Sequence, residues 1–280
     1  MRLRDCETVR LKNILRREGR MIAIADNLNT RNKVYTEALK KKDRALIEEL
    51  MRKIKESGAD MINVQCSLDG VGDEEILPWV AEILSGITDA ACLDSRNLEA
   101  LKKAIPICKK PPLINFISET EPEYQKTLLS VAAASGSSLV LRASRGTIPT
   151  SLEAKLQIIE KLLEMANEAD IPNERLFADP SIVHLSRGMG QKHLVNSYDC
   201  IRVLGDLVEP PINTIAWISN ISTGLPKSLR KPLEASFLTY LAGAGLDAAM
   251  VDVLDENIRR AIYIIKSFRD EIVFSQADLS

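Results

Sequence analysis

No two of the five cysteines, Cys6, Cys66, Cys92, Cys108 and Cys200, stand in a C-x-x-C pair. That excludes a disulfide framework and a thiolate zinc site, and reduced thiols in a cytoplasm are expected. No apolar run approaches the roughly 18 residues that a membrane-spanning helix needs, and no signal-type apolar stretch follows the N-terminus. An excess of one charge is also missing. The 37 Lys and Arg stand against 39 Asp and Glu, for a formal net charge of −2, and give no electrostatic reason to expect a nucleic-acid partner. There is no G-x-G-x-x-G after the first apolar run and no P-loop, which speaks against an open nucleotide-binding sheet. What is present, 280 residues with 45% hydrophobic content, suffices to bury a full core.

The first twenty residues, MRLRDCETVRLKNILRREGR, lie outside the pattern that begins at Met21. Asp5, Glu7 and Glu18 interrupt their basic run and speak against a targeting peptide. A short accessory helix is the plain alternative. The expectation is that Met21 is the natural start, because R-R-E-G-R before a Met resembles a translated purine-rich ribosome-binding sequence. From Met21 onward, short apolar runs of β type alternate with longer segments of helical period, the signature of parallel α/β architecture. The runs are MIAIAD (21–26), ADMINVQC (59–66), AACLDS (90–95), PLINFI (112–117), SLVLRAS (138–144), LFADPS (176–181), TIAWISN (214–220) and AAMVDVL (248–254). Helical segments such as YTEALKKKDRALIEELMRKIKE, LEALKKAIPICK and SLEAKLQIIEKLLEMANE lie between them, and DENIRRAIYIIKSFRDE closes the series. Several end at Gly or Pro just before the next run, as in ASGSS and VEPPI. Eight such units predict a single (β/α)8 TIM barrel over residues 21–280, with a doubly wound open sheet as the runner-up.

In a barrel of this kind, polar side chains at strand C-termini point into the mouth, where active sites form. Each strand candidate carries one at or near its end: Asp26 with Asn27 and Asn29, Asn63 and Gln65, Asp94 with Ser95, Asn115, Arg142 with Ser144, Asp179, Ser219 with Asn220, and Asp252. Singly, each would serve equally well as an N-cap or turn former. Together they make a ring of carboxylates and amides suited to a neutral, donor-rich heterocycle, with too few inward cations for a polyphosphate. A pterin fits, because its 2-amino and ring N–H groups offer adjacent donors to one carboxylate. A sugar or an amino acid fits the same residue types. RASRG (142–146) is a candidate anion site, Gly188 and Gly190 in LSRGMGQ resemble a mobile or phosphate-binding loop, and TGLPKSLRKP (223–232) suits a closing loop or the start of a long helix. Trp79 and Trp217 are expected in the core, and His184 and His193 as ordinary loop or helix-terminal residues.

The strings CLDS (92–95), LIN (113–115), FADP (177–180), ISNIS (218–222) and GLDAAMVDVLDE (245–256) resemble, in that order, the pterin-binding methyltransferases of dihydropteroate synthase-like fold. Within that group the chain is most similar to methyltetrahydrofolate:corrinoid protein methyltransferases, including those of anaerobic demethylation systems. The resemblance implies that Asp94, Asn115 and Asp179 bind the pterin ring, that Asn220 assists methyl transfer, and that Ser219 stands beside it at the wall of the site. Asp26, Gln65, Arg142 and Asp252 complete the expected substrate-binding set. Three positions depart from the family: Thr223 stands in place of Gln, NVQC in place of a D-x-N pattern, and Asp26 in place of Glu. The resemblance further implies tetrahydrofolate or methyltetrahydrofolate as substrate, a cobalamin carried by a separate corrinoid protein, and a homodimer. No D-x-H-x-x-G string that would supply a lower-ligand histidine occurs in the chain itself. The alternatives are a dihydropteroate synthase-type enzyme and a noncatalytic folate-binding docking subunit.

Overall fold

The computed structural model describes residues 20–68, 73–188, 190–275 and 277. Residues 1–19, on which the reading of an N-terminal extension rests, lie outside the described residues. Strands β1 (Ile22–Leu28), β2 (Met61–Gln65), β3 (Ala91–Asp94), β4 (Leu113–Ser118), β5 (Ser138–Arg142), β6 (Leu176–Asp179), β7 (Asn213–Trp217) and β8 (Ala248–Val251) each overlap one of the eight apolar runs. They pair in parallel in chain order, and β8 pairs back onto β1 to close the barrel, so the open-sheet alternative falls. Both faces of every strand are covered. Ile24, Cys92, Leu113, Val140, Phe177, Ile215 and Met250 meet on the axis, while neighbours such as Ala23, Leu93, Ile114, Leu139 and Leu141 pack outward against the helices. This two-sided burial is why the strands read as short continuous apolar runs.

The helices are α1 (Lys33–Lys41), α2 (Arg44–Glu56), α3 (Asp73–Ser85), α4 (Leu98–Ala104), α5 (Pro122–Ser135), α6 (Leu152–Glu168), α7 (Gly190–Leu207), α8 (Lys227–Gly243) and α9 (Glu256–Phe268). Side-chain caps set several of their starts. Asn32, Asn97, Ser151 and Asp255 each accept backbone N–H bonds from the turn they open. The segment expected as one helix over 35–56 is two. Lys42 turns left-handed at φ 50, and the Asp43 side chain accepts from the Leu46 N–H, starting α2 afresh. Likewise α4 stops short of Pro106, which lacks the donor to continue it, and a 3-10 turn over Ile105–Ile107 takes over. Gly190 opens α7 against the Leu185 carbonyl, which a Cβ would strike, so that glycine answers a packing need. Among the described residues no helix is long and apolar enough to cross a membrane.

Candidate active site at the barrel mouth

Register decides which strand ends meet. Gln65, Asp94 and Asn115 are direct partners across β2, β3 and β4, so three polar side chains stand in one row at the C-terminal rim. Arg142 and Asp179 are partners across β5 and β6. Beside the row, the β4–β5 register shifts between Ile114 and Ile117. Such an irregularity breaks strict alternation, and consecutive residues Asn115 and Phe116 both reach the mouth. A cavity of about 230 Å³ results. One side is the polar row with Asp26, another is Asn29, Thr30 and Arg31 from the loop after β1, and the third is Phe116, Arg142 and Trp217. The Arg142 guanidinium lies 4.1 Å from the Phe116 ring centre and 5.0 Å from that of Trp217, making a flat cationic and aromatic wall.

The cations of this cavity are committed. Arg31 pairs with Asp26 at 3.0 Å and Arg142 with Asp179 at 2.9 Å. Its acceptors are only partly so. Gln65 Oε1 accepts from Thr30, Asp94 accepts from Gln65 Nε2 at 3.3 Å with the Asn63 and Asn115 amides beside it, and the buried Oδ1 of Asn115 has no partner. Burial pushes the Asp26 carboxyl up, against the opposing charge of Arg31 and a hydrogen bond from Asn63. Burial, reinforced by the nearby Asp26 charge and opposed by Arg142, pushes Asp94 up to about 7. A site with unspent acceptors and a reluctant carboxylate selects a ligand rich in N–H donors.

The raised Asp94 carries a stability consequence. Between its ordinary value of 3.8 and about 7 the native state holds a proton that the unfolded chain has released. Stability of the ligand-free protein therefore falls as pH rises through that window, and this group adds no further loss above it. Asp26, which burial also pushes up, adds to this fall, whereas His193, which burial pushes below 6.5, opposes it over the part of the window below that value. The fall in urea midpoint from pH 5 to pH 8 should therefore be smaller in Asp94→Asn than in the wild type; an equal fall in both would exclude a high Asp94 value.

Of the expected residues, Asp179, Ser219, Asn220 and Asp252 are not among those that line the cavity. Asp179 is 1% exposed behind Arg142, its second oxygen accepting from the Ser181 N–H at 2.8 Å. Ser219 and Asn220 lie past the end of β7 on a 3-10 turn over Ile218–Ser222. The Ser219 Oγ is buried without a partner, and Asn220 is half-buried. Asp252 does not line the cavity. It is bound by Lys231 at 2.9 Å and by Asn27 and the Leu254 N–H, a tie between the end of β8, α8 and β1. Lys231 belongs to α8, so the segment 223–232 is helical from Lys227 onward and a loop only before it. Trp217, expected as plain core, packs on the barrel axis at 6% exposure and also forms cavity wall. Its place at the end of a strand run was the signal that could have flagged it. Trp79 packs against the core as expected. At the opposite end a larger hollow of about 560 Å³ holds Asp60 and Asp247. Both are spent on the scaffold, Asp60 on Arg20, Lys266 and the Ala23 N–H, and Asp247 on Thr214, as is usual at that face of a barrel.

The chain is 28% identical over 247 residues to a methylcorrinoid:tetrahydrofolate methyltransferase of Eubacterium limosum, covering 87% of this chain and 89% of that protein. It is 24% identical over 242 residues to a methionine synthase of Mycobacterium leprae, a match that takes in 82% of this chain but only 20% of that longer protein. Among solved structures, dihydropteroate synthases from Stenotrophomonas maltophilia and Yersinia pestis superpose with TM-scores of 0.66 and 0.65 at 18% identity. They cover 92% and 91% of this chain, and 96% and 95% of their own; at that identity the likeness concerns the fold. The family described as pterin binding enzyme matches residues 27–252. That match begins near the end of β1 and ends just past β8, so it takes in nearly the whole barrel, and the chain belongs to the pterin-binding enzyme family.

Proposed function

We propose that this protein is a methyltransferase that moves a methyl group between nitrogen 5 of tetrahydrofolate and the cobalt of a separate corrinoid protein. The observation that carries this reading is the near end-to-end similarity to the Eubacterium limosum protein named for that pair of substrates. The mouth supports it. The pterin's 2-amino and ring N–H groups donate to the Asp94 carboxylate, and Asn115, Asp179, Gln65 and Asp26 satisfy the rest of its polar edge. Arg142, Phe116 and Trp217 face the ring plane. The partner's corrinoid supplies the site that gives up or receives the methyl group.

Nitrogen 5 sets the chemical problem. When the methyl leaves it, the N–C bond breaks, the electron pair stays on nitrogen, and a poor leaving group results unless a proton or strong hydrogen bond arrives in the transition state. Asn220 supplies that bond through its amide N–H, with Ser219 at the wall. In the reverse direction nitrogen 5 attacks the methyl and loses its proton, and the same groups act. The protein works in the cytoplasm as a homodimer within anaerobic one-carbon or demethylation metabolism.

The test is calorimetry with tetrahydrofolate and methyltetrahydrofolate, followed in the same samples by absorbance assays with free cob(I)alamin and methylcobalamin. Binding with methyl exchange is expected. Binding without exchange would favour a docking subunit or a dihydropteroate synthase-type activity, and absence of binding would remove the pterin reading while leaving the barrel untouched.

A further inference from the structure

Lys155 is fully buried, at 0% exposure. An ammonium group rarely occupies such a place, because it surrenders its hydration and must recover it through hydrogen bonds. It sits in the first turn of α6, and its Nζ donates to the backbone carbonyls of Pro180 and, at 2.9 Å, Ser181. These two residues directly follow Asp179 at the end of β6. Ser181 has φ 55, a left-handed conformation that a non-glycine residue keeps only when its surroundings hold it. In that conformation its N–H reaches back to Asp179 Oδ1 at 2.8 Å. A continuous path of bonds therefore runs from the amine to the turn carbonyls and from the turn N–H to the carboxylate.

The ionisable groups around the amine come from two elements. Asp179 stands on β6, and Cys200 and His193 stand on α7. Burial pushes the Lys155 amine down while Cys200 and Asp179 oppose that shift. Burial and the Lys155 charge likewise push His193 down.

We infer that Lys155 is a positioning residue for the pterin site: its amine clamps the Pro180–Ser181 turn and thereby holds the Asp179 carboxylate in the orientation that receives the ring's N–H donors. The inference rests on the reading of Asp179 as a pterin ligand. An apolar side chain at 155 would leave two buried carbonyls without a donor. The turn would rotate to recover one, and the Ser181 N–H would leave the carboxylate. The amine itself has no access to the cavity, so its effect reaches substrate only through Asp179.

The experiment uses the full-length chain and compares Lys155→Met, of similar volume but without a donor, with Lys155→Gln, which keeps N–H donors without the charge. Tetrahydrofolate Kd, the KM and kcat of methyl transfer, and melting temperature are measured for both. For Lys155→Met the Kd and KM should rise about 30-fold with kcat within about threefold, the signature of lost ligand positioning. Lys155→Gln should recover a substantial part of that loss. A Lys155→Met that binds within threefold of the wild type would overturn the clamp, as would a Lys155→Gln as weak as Lys155→Met. If Lys155→Met fails to fold, Lys155→Gln carries the test; if neither folds, the residue serves the fold and not the site, and the inference fails. A wild-type chain that does not bind tetrahydrofolate would sink the pterin reading itself, and the clamp with it, an outcome distinct from a clamp that fails in a binding-competent protein.

Discussion

Asp94→Asn should weaken tetrahydrofolate binding by at least about a hundredfold and yet raise the stability of the ligand-free protein at pH 8. The binding loss follows from donor and acceptor counts. A carboxylate accepts from two N–H groups at once, whereas an amide offers one oxygen and turns an NH2 toward the second donor of the ring. Each charge-assisted bond is worth about 1.5–3 kcal/mol, so losing two amounts to roughly a hundredfold to ten-thousandfold. The stability gain has the opposite origin. At pH 8 the wild-type carboxyl is ionised in both states, and its displacement from 3.8 to about 7 in the native state is then wholly a cost. About three units corresponds to about 4 kcal/mol, and burying the replacement amide subtracts from it, leaving an expected gain of about 2 kcal/mol. Below about pH 4 the group is protonated in both states, and the advantage disappears. Calorimetry and urea melts at pH 5 and pH 8 check both halves. Undiminished binding would remove Asp94 from the site, and a stability difference independent of pH would exclude burial as the cause of its high value.

Asn220→Ala should lower kcat for methyl transfer by about 10²–10³ while leaving the tetrahydrofolate Kd within about threefold. The residue sits on a turn that is itself well held. The Ser222 hydroxyl contacts the Ser219 carbonyl at 3.2 Å and Glu234 at 2.5 Å, and Lys231 joins Glu234 at 3.0 Å to Asp252 at 2.9 Å. The Asn220 amide takes no part in that network, so its N–H groups are free of the described protein and its removal leaves the turn's ties intact. A preorganised donor of this kind acts where charge develops in the transition state, which places its loss in kcat. Single-turnover mixing with methylcobalamin separates the chemical step from product release. If Kd rises and the chemical step is unchanged, Asn220 is a binding group; if neither moves, methyl transfer proceeds without it.

Asn220, past the end of β7, was singled out by the family resemblance; Asp94 was legible in the chain alone, because the last polar residue of a strand is a local feature. So were the strands themselves. Burial on two faces demands continuous apolar runs, and Gly and Pro punctuate them. Phe116 was not legible, since it reaches the mouth through an irregularity in β4 that no residue type announces. Trp217 read as core because a large apolar ring satisfies core and cavity wall alike. Asp252 looked equivalent to Asp94, and what separates them is Lys231, which a helix beginning at Lys227 brings to one and not the other. The break at Lys42 escaped helical periodicity because both halves keep the same polar and apolar spacing.

The eight βα units, their order and a polar residue at or near each strand end were legible in the chain, all consequences of periodicity and capping within short stretches. Which of those residues share one cavity, and in what state of charge, followed from the closed barrel. Gln65, Asp94 and Asn115 stand in a row through the β2–β4 register, and Asp26 joins them because β1 lies beside β2. The high Asp94 value comes from lost water and the Asp26 charge, and both depend on distances through space, which only the closed barrel sets.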